Sequence, residues 1–145
     1  MKLFTLNAHS HTGELAKKRQ ALLEEFLIKE APHIISLQEV NQSMSAPPMA
    51  KEKLPPSIIK VDGAPSVPIK EGNSALSLLL ALRNAGHDYR LAWLPVKCGY
   101  GRLDEGLAIL SRLPVTDASG FYISRTHSYD NWKTRMALSL RLCGE

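Results

Sequence analysis

Near the start of the chain two short apolar stretches bracket an amphipathic helix, and that order limits the possible folds more than any other feature. Residues 2–7 are largely apolar and run into Asn7-Ala8-His9-Ser10-His11-Thr12-Gly13, so they read as a short buried strand whose polar residues sit at its C-terminal end. From 14 to about 29 the residues Leu15, Leu22, Leu23, Phe26 and Leu27 recur near helical spacing. Lys17, Lys18, Glu24 and Glu25 supply a wet face, and Pro32 ends the pattern. Residues 33–40 give a second apolar strand, again closing on polar residues, Gln38 and Glu39. Strand, helix, strand in this order implies a crossover packed on a sheet.

The remainder changes texture twice. Residues 41–72 hold six of the nine prolines and no sustained period, which predicts one long loop. Asn73 or Ser74 then caps a helix to about residue 84, ended by Gly86. Strands are expected at 89–96, 106–110, 115–124 and 136–142, and the last quarter reads as an antiparallel meander. At 145 residues there is room for one domain, and 44% hydrophobic with 22% charged residues fits a folded globular chain. Cys98 and Cys143 are too few for a disulfide scaffold and lack zinc-site spacing, so reduced buried thiols are expected. The longest apolar run, 78–82, is too short to span a bilayer, and the start lacks a signal-peptide core, which predicts a cytoplasmic protein without membrane partners.

Asn7 and Glu39 stand where two neighbouring strands run out, which brings both to one rim. A hard cation such as Mg²⁺ takes oxygen ligands, often one or two carboxylates with several retained waters, so a glutamate beside an amide is a chemically reasonable half-shell. Both residue types are also ordinary strand terminators. His9 and His11 form a His-x-His that suits a transition metal or a phosphate. His33, His87 and His127 are isolated and read as structural. Gly99-Tyr100-Gly101 opens no helix and so is no nucleotide-type phosphate loop, while Tyr100 is a candidate lining residue.

Three segments carry a resemblance: Leu6-Asn7-Ala8-His9-Ser10, the stretch Ile34-Ile35-Ser36-Leu37-Gln38-Glu39-Val40-Asn41, and Glu105-Gly106-Leu107-Ala108-Ile109-Leu110-Ser111-Arg112-Leu113-Pro114-Val115. In this order they resemble successive motifs of the endonuclease/exonuclease/phosphatase superfamily. The resemblance implies an α+β fold, the N-terminal half of a four-layer α/β/β/α sandwich with a mixed sheet and flanking helices. It makes Glu39 the principal metal ligand and places Asn7 beside the metal and the scissile phosphate. Glu105 is implied as a support of the metal's water network, with Mg²⁺ as cofactor and Mn²⁺ as its substitute. Asp130-Asn131-Trp132-Lys133-Thr134-Arg135 resembles a segment of a bacterial metal-dependent hydrolase branch that includes maltose 6'-phosphate phosphatases, as does His9 preceding Ser10. Arg135 and Lys133 are candidates to complement a phosphate dianion, since a guanidinium offers two parallel charge-assisted bonds.

The resemblance runs over residues 2–142 yet matches about the first half of the family's domain, so 1–145 reads as a partial domain. No Gly-Asp-Phe-Asn and no Ser-Asp-His occurs, and the chain alone is expected to be weak or inactive. The reaction implied is Mg²⁺-dependent hydrolysis of a sugar phosphate or other small phosphomonoester. An endonuclease or phosphodiesterase of the same fold and a non-catalytic interaction module are the alternatives. A net charge of +4, from 18 basic and 14 acidic residues without a basic stripe, argues against nucleic acid as partner. A lone half would leave an apolar sheet face uncovered, which predicts self-association.

Overall fold

The computed structural model describes residues 1–10 and 13–143. His11, half of the His-x-His, therefore lies outside the described residues. Strand β1 (Leu3–Asn7), helix α1 (Glu14–Glu30) and strand β2 (Ile34–Ser43) realise the crossover, with β1 and β2 parallel and Leu3 opposite Ile34 through Asn7 opposite Gln38. Helix α1 stops where Ala31 turns left-handed and gives its N–H to the Leu27 carbonyl, after which Pro32 prevents continuation. β3 (Ile58–Ile59), α2 (Ser74–Asn84), β4 (Arg90–Gly99), β5 (Leu103–Ser111), β6 (Val115–Tyr122) and β7 (Met136–Leu142) follow.

Five strands form one mixed sheet in the order β1-β2-β5-β4-β3, and β6 pairs with β7 in a second, two-stranded sheet. Side chains alternate across the large sheet as the pleat demands. Ile35, Leu37, Leu91, Trp93, Ala108 and Leu110 face the helices and pack against Leu27, Leu76, Leu79 and Leu82. Each leucine so enclosed contributes about 1.5–3 kcal/mol of transfer free energy. On the opposite face Ala92, Leu94 and Val96 meet Ala118 and Met136 of the small sheet. The layers are thus helices, large sheet, small sheet, the expected α+β half-sandwich with a mixed sheet and flanking helices. Two glycines permit the close approaches: a side chain at Gly106 would collide with the Leu94 carbonyl, and one at Gly120 with the Leu94 side chain.

Several boundaries differ from the sequence reading. β2 runs on to Ser43 and β5 begins at Leu103, because Asn41, Gln42 and Ser43 pair with Glu105, Asp104 and Leu103. Gln42 and Asp104 sit inside these strands because they bond each other and Lys70 there. β4 likewise continues past Val96 to Gly99, carried through Pro95 by an irregularity in its pairing with β5. The last quarter holds the expected antiparallel strands, β6 and β7, but in a sheet of their own, apart from β4 and β5 of the large sheet. The proline-rich segment is a long connection as expected, but it includes β3 and a single 3-10 turn over Lys51–Lys53.

That segment is pinned by a buried polar network. Asp104 accepts from Lys70 Nζ at 2.8 Å, Gln42 Nε2 at 3.0 Å and Tyr129 Oη at 2.9 Å. Gln42 Oε1 in turn accepts from the Lys70 backbone and from Asn73 Nδ2, and Asn73 Oδ1 caps α2 through the N–H groups of Ala75 and Leu76. Burial opposes ionisation of Asp104, but the bonds from Lys70, Gln42 and Tyr129 outweigh it and hold the carboxyl below its ordinary range. Burial first, then the Asp104 carboxylate, pushes the Tyr129 hydroxyl far above the usual tyrosine value. Cys98 is partly buried, whereas Cys143 is exposed, contrary to the expected buried thiol. Among the described residues no helix is long and apolar enough to cross a membrane.

Candidate functional site

A break in the β2 ladder creates the site. Pairing with β5 is regular to Leu37 and resumes at Val40 with a shift, so Gln38 and Glu39 form a β-bulge. Within it Glu39 adopts φ 51°, a left-handed backbone that a non-glycine residue holds at a cost of about 1–3 kcal/mol. The bulge directs Glu39 toward the end of β1. There Asn7 Nδ2 donates to Glu39 Oε1 at 3.0 Å, and His9 Nδ1 lies 2.9 Å from Glu39 Oε2. His9 is itself left-handed at φ 44°, and its N–H donates to Asn7 Oδ1 at 3.0 Å, an Asx turn that fixes the amide's orientation. The carboxylate is only about one-third exposed (side chain 35%), while the imidazole is 53% exposed.

Ser10 anchors this cluster from behind. Its hydroxyl donates to the Glu39 carbonyl at 2.9 Å and accepts from the Asn41 N–H at 2.8 Å and the Ser74 hydroxyl at 3.0 Å. One donor and two acceptors exhaust what a serine hydroxyl offers. Asn41 Nδ2 donates to the Ser10 carbonyl at 2.8 Å, and its Oδ1 is a buried oxygen without a hydrogen-bond partner.

The donor set suits a hard dication in part. Glu39 supplies one carboxylate, and the Asn7 amide meets it in space, which matches a cation that takes few protein ligands and keeps its waters. Among the described residues no third His, Cys, Asp or Glu joins His9 and Glu39 in a group able to hold a metal ion. The residues present therefore fit part of a Mg²⁺ shell, with Glu39 at its centre.

The other residues singled out in the sequence lie elsewhere. Glu105, opposite Asn41 in the register, is paired with Lys97 at 3.4 Å, both largely buried. Lys97, which no sequence pattern marked, also donates to the Trp132 carbonyl at 3.1 Å and so ties the β6–β7 connection to the large sheet. Arg135 Nη1 spends both its N–H groups on the carbonyls of Trp132 and Thr134, 2.6 and 2.9 Å away. The Lys133 ammonium lies 5.6 Å from the centre of the exposed Trp132 ring. Tyr100 is exposed in the β4–β5 turn at φ 53°. His33 accepts from the Lys2 N–H, His87 contacts the Ile28 carbonyl and His127 stacks on Tyr122, the structural roles expected of them.

A cleft of about 890 Å³ opens between β1 and α1. Asn7, His9 and Ser10 border one end, but Glu39 does not line it, and its walls combine Phe4, Leu6, Leu22, Leu23 and Phe26 with Lys17, Arg19 and Gln20.

A model of the Endonuclease/Exonuclease/phosphatase family matches residues 4–140. Among solved structures, an endonuclease/exonuclease/phosphatase family protein from Leptotrichia buccalis C-1013-b superposes with a TM-score of 0.82 at 25% identity. The match covers 100% of this chain and 49% of that one. An endonuclease/exonuclease/phosphatase from Beutenbergia cavernae DSM 12333 gives a TM-score of 0.58 at 15% identity, covering 97% of this chain and 34% of that one, and supports the fold alone. This chain thus spans about half the length of the first structure and about a third of the second. No curated protein matches the sequence.

Proposed function

The chain belongs to the endonuclease/exonuclease/phosphatase family, a family of hydrolases acting on phosphate esters, and from that premise we propose that it carries the Asn7–Glu39 part of a Mg²⁺-dependent phosphomonoesterase site. The substrate class is a sugar phosphate or another small phosphomonoester. Mn²⁺ is the natural substitute for Mg²⁺, and the cytoplasm is the compartment in which we place it. The observation that carries the reading is the bulge: Glu39 is held in a costly backbone conformation with its carboxylate bracketed by Asn7 and His9. Strain of this kind persists where surrounding structure enforces it, as the Ser10 bonds do here.

Glu39 presents a carboxylate oxygen to the cation. When bound, Mg²⁺ polarises phosphoryl oxygens and acidifies a water. Asn7 keeps the carboxylate aimed by donating to Oε1. His9 holds Oε2 and stands ready to donate to a phosphate oxygen when protonated. Glu105 and its Lys97 partner buttress the same sheet register, and Arg135, Lys133 and Tyr100 belong to the substrate side in this reading. The test is Mg²⁺-dependent phosphate release from a panel of phosphosugars, run beside plasmid cleavage. Slow release that disappears in Glu39→Gln supports the proposal. Release unaffected by Glu39→Gln overturns the site assignment, and plasmid cleavage without phosphate release transfers the chain to the endonuclease reading.

A further inference from the structure

Building on the phosphomonoester reading, on which it rests, we propose that Lys97 is a positioning residue that fixes the anion-facing segment 132–135 against the strand carrying Glu39. The first observation is a second bulge. β4 pairs regularly with β5 as far as Pro95, opposite Gly106, and resumes with a shift at Lys97, opposite Glu105. Regular pairing would set Val96 there, so the extra residue re-aims Lys97 onto Glu105. β2 breaks its register against the same stretch of β5, with Val40 opposite Gly106 and Asn41 opposite Glu105. Glu105 therefore has Lys97 across from it on one side. On the other runs the strand that presents Glu39, two residues before Asn41.

The second observation is what the Lys97 ammonium holds. It lies 3.4 Å from Glu105 Oε1 and donates to the Trp132 carbonyl at 3.1 Å. The same carbonyl accepts from Arg135 Nη1 at 2.6 Å, and Nη1 also reaches the Thr134 carbonyl at 2.9 Å. Two cations thus share one oxygen, and the guanidinium takes its place from it. The Lys97 and Glu105 side chains are only 15% and 16% exposed, so water cannot readily replace these contacts. The other charges of the region are not rivals for Lys97. Asp104 is held by Lys70, Gln42 and Tyr129, and the Lys133 ammonium lies 5.6 Å from the centre of the Trp132 ring. Asp130 makes no ion pair among the described residues.

Trp132 and Arg135 belong to the β6–β7 connection. Tyr129 secures its middle to the large sheet, since the Cys98 N–H donates to the Tyr129 carbonyl at 2.7 Å and Tyr129 Oη donates to Asp104. Its end is held by the Arg135 N–H donating to the Ser124 hydroxyl at 2.9 Å. Between these points Lys97 supplies the large-sheet bond to Trp132. Through that bond the Arg135 guanidinium keeps a fixed place relative to the strand of Glu39. A phosphate drawn to a cation on Glu39 then meets a donor already in position, and small misplacements of such groups are costly. Glu105 offsets the ammonium's charge, so Lys97 acts by ordering the segment rather than by adding to its field.

The test uses the isotopically labelled chain with saturating Mg²⁺ and inorganic phosphate as the probe. Phosphate affinity is read from the arginine Nε–Hε signals, and the order of the segment from the heteronuclear NOE of amides 131–133. Lys97→Met keeps the stem and removes the ammonium. It should weaken phosphate by at least about tenfold, the worth of one charge-assisted hydrogen bond, and loosen amides 131–133. Mn²⁺ broadening of the Asn7 side-chain amide should not change. Adding Glu105→Gln should not restore the affinity, and this double variant, which buries no unpaired charge, carries the same expectation if Lys97→Met alone fails to fold. Unchanged affinity overturns the proposal. So does weaker phosphate with amides 131–133 still ordered, which would make Lys97 a charge only, and so does recovery in the double variant, which would make it a counter-ion for Glu105. Failure of the unaltered chain to take phosphate at all overturns the phosphomonoester reading itself, and this proposal with it.

Discussion

Replacing Glu39 by glycine should leave a more stable chain than replacing it by alanine, the reverse of the usual order inside a strand. Both variants lose the same side chain, and with it the bonds from Asn7 and His9, so their difference isolates the backbone. At φ 51° an alanine pays the left-handed penalty of about 1–2 kcal/mol, which glycine escapes. Glycine returns about 0.4–1 kcal/mol of that through the greater freedom of its unfolded chain. The net advantage is about 0.5–1 kcal/mol, which for a domain of this size shifts the melting temperature by about 1–4 °C. Thermal melts of the two variants followed by circular dichroism measure it directly. If alanine equals or exceeds glycine, Glu39 is not held left-handed in solution, and the bulge cannot be what aims its carboxylate.

Asp104→Asn should cost about 3–5 kcal/mol, on the order of 10 °C in melting temperature, because it leaves the Lys70 ammonium largely buried without its carboxylate. Lys70→Met should destabilise as well, and the double variant by less than the sum, as a double-mutant cycle in melts will show. The stabilisation from Asp104, whose folded pKa is lowered, is complete above the unfolded aspartate value of about 3.9 and lost as pH falls through the folded value. The stability gap between wild type and Asp104→Asn should therefore close below about pH 4. Tyr129 is shifted upward, so its contribution is complete below about pH 10 and lost above it. Tyr129→Phe should abolish that alkaline loss in denaturant titrations at rising pH.

The crossover at the start of the chain was legible because its apolar residues follow the strand and helix periods without interruption. Asn73 as the cap of α2 was legible for a similar reason, a polar residue placed just before an apolar helix. Gln42 and Asp104 were not, since polar residues at strand positions read as loop until the partners that satisfy them are known. The packing of β6–β7 on the large sheet relies on Gly120 leaving room for the Leu94 side chain, which no period records. At the site, the neighbouring strand ends correctly bring Asn7 and Glu39 together. The bulge was invisible because Glu39 has no residue-type signal for a left-handed backbone. Lys97 escaped notice because its partners, Glu105 and the Trp132 carbonyl, are distant in sequence.

The central claim is that Glu39 offers its carboxylate to a hard dication beside Asn7. Titrating the isotopically labelled chain with Mn²⁺ tests it most directly, by paramagnetic broadening of amide and side-chain signals. Saturable broadening centred on the Asn7 side-chain amide and the backbone of residues 38–41, reversed by excess Mg²⁺ and absent in Glu39→Gln, is the expected result. Broadening that centres on other carboxylates, or that persists unchanged in Glu39→Gln, would contradict it.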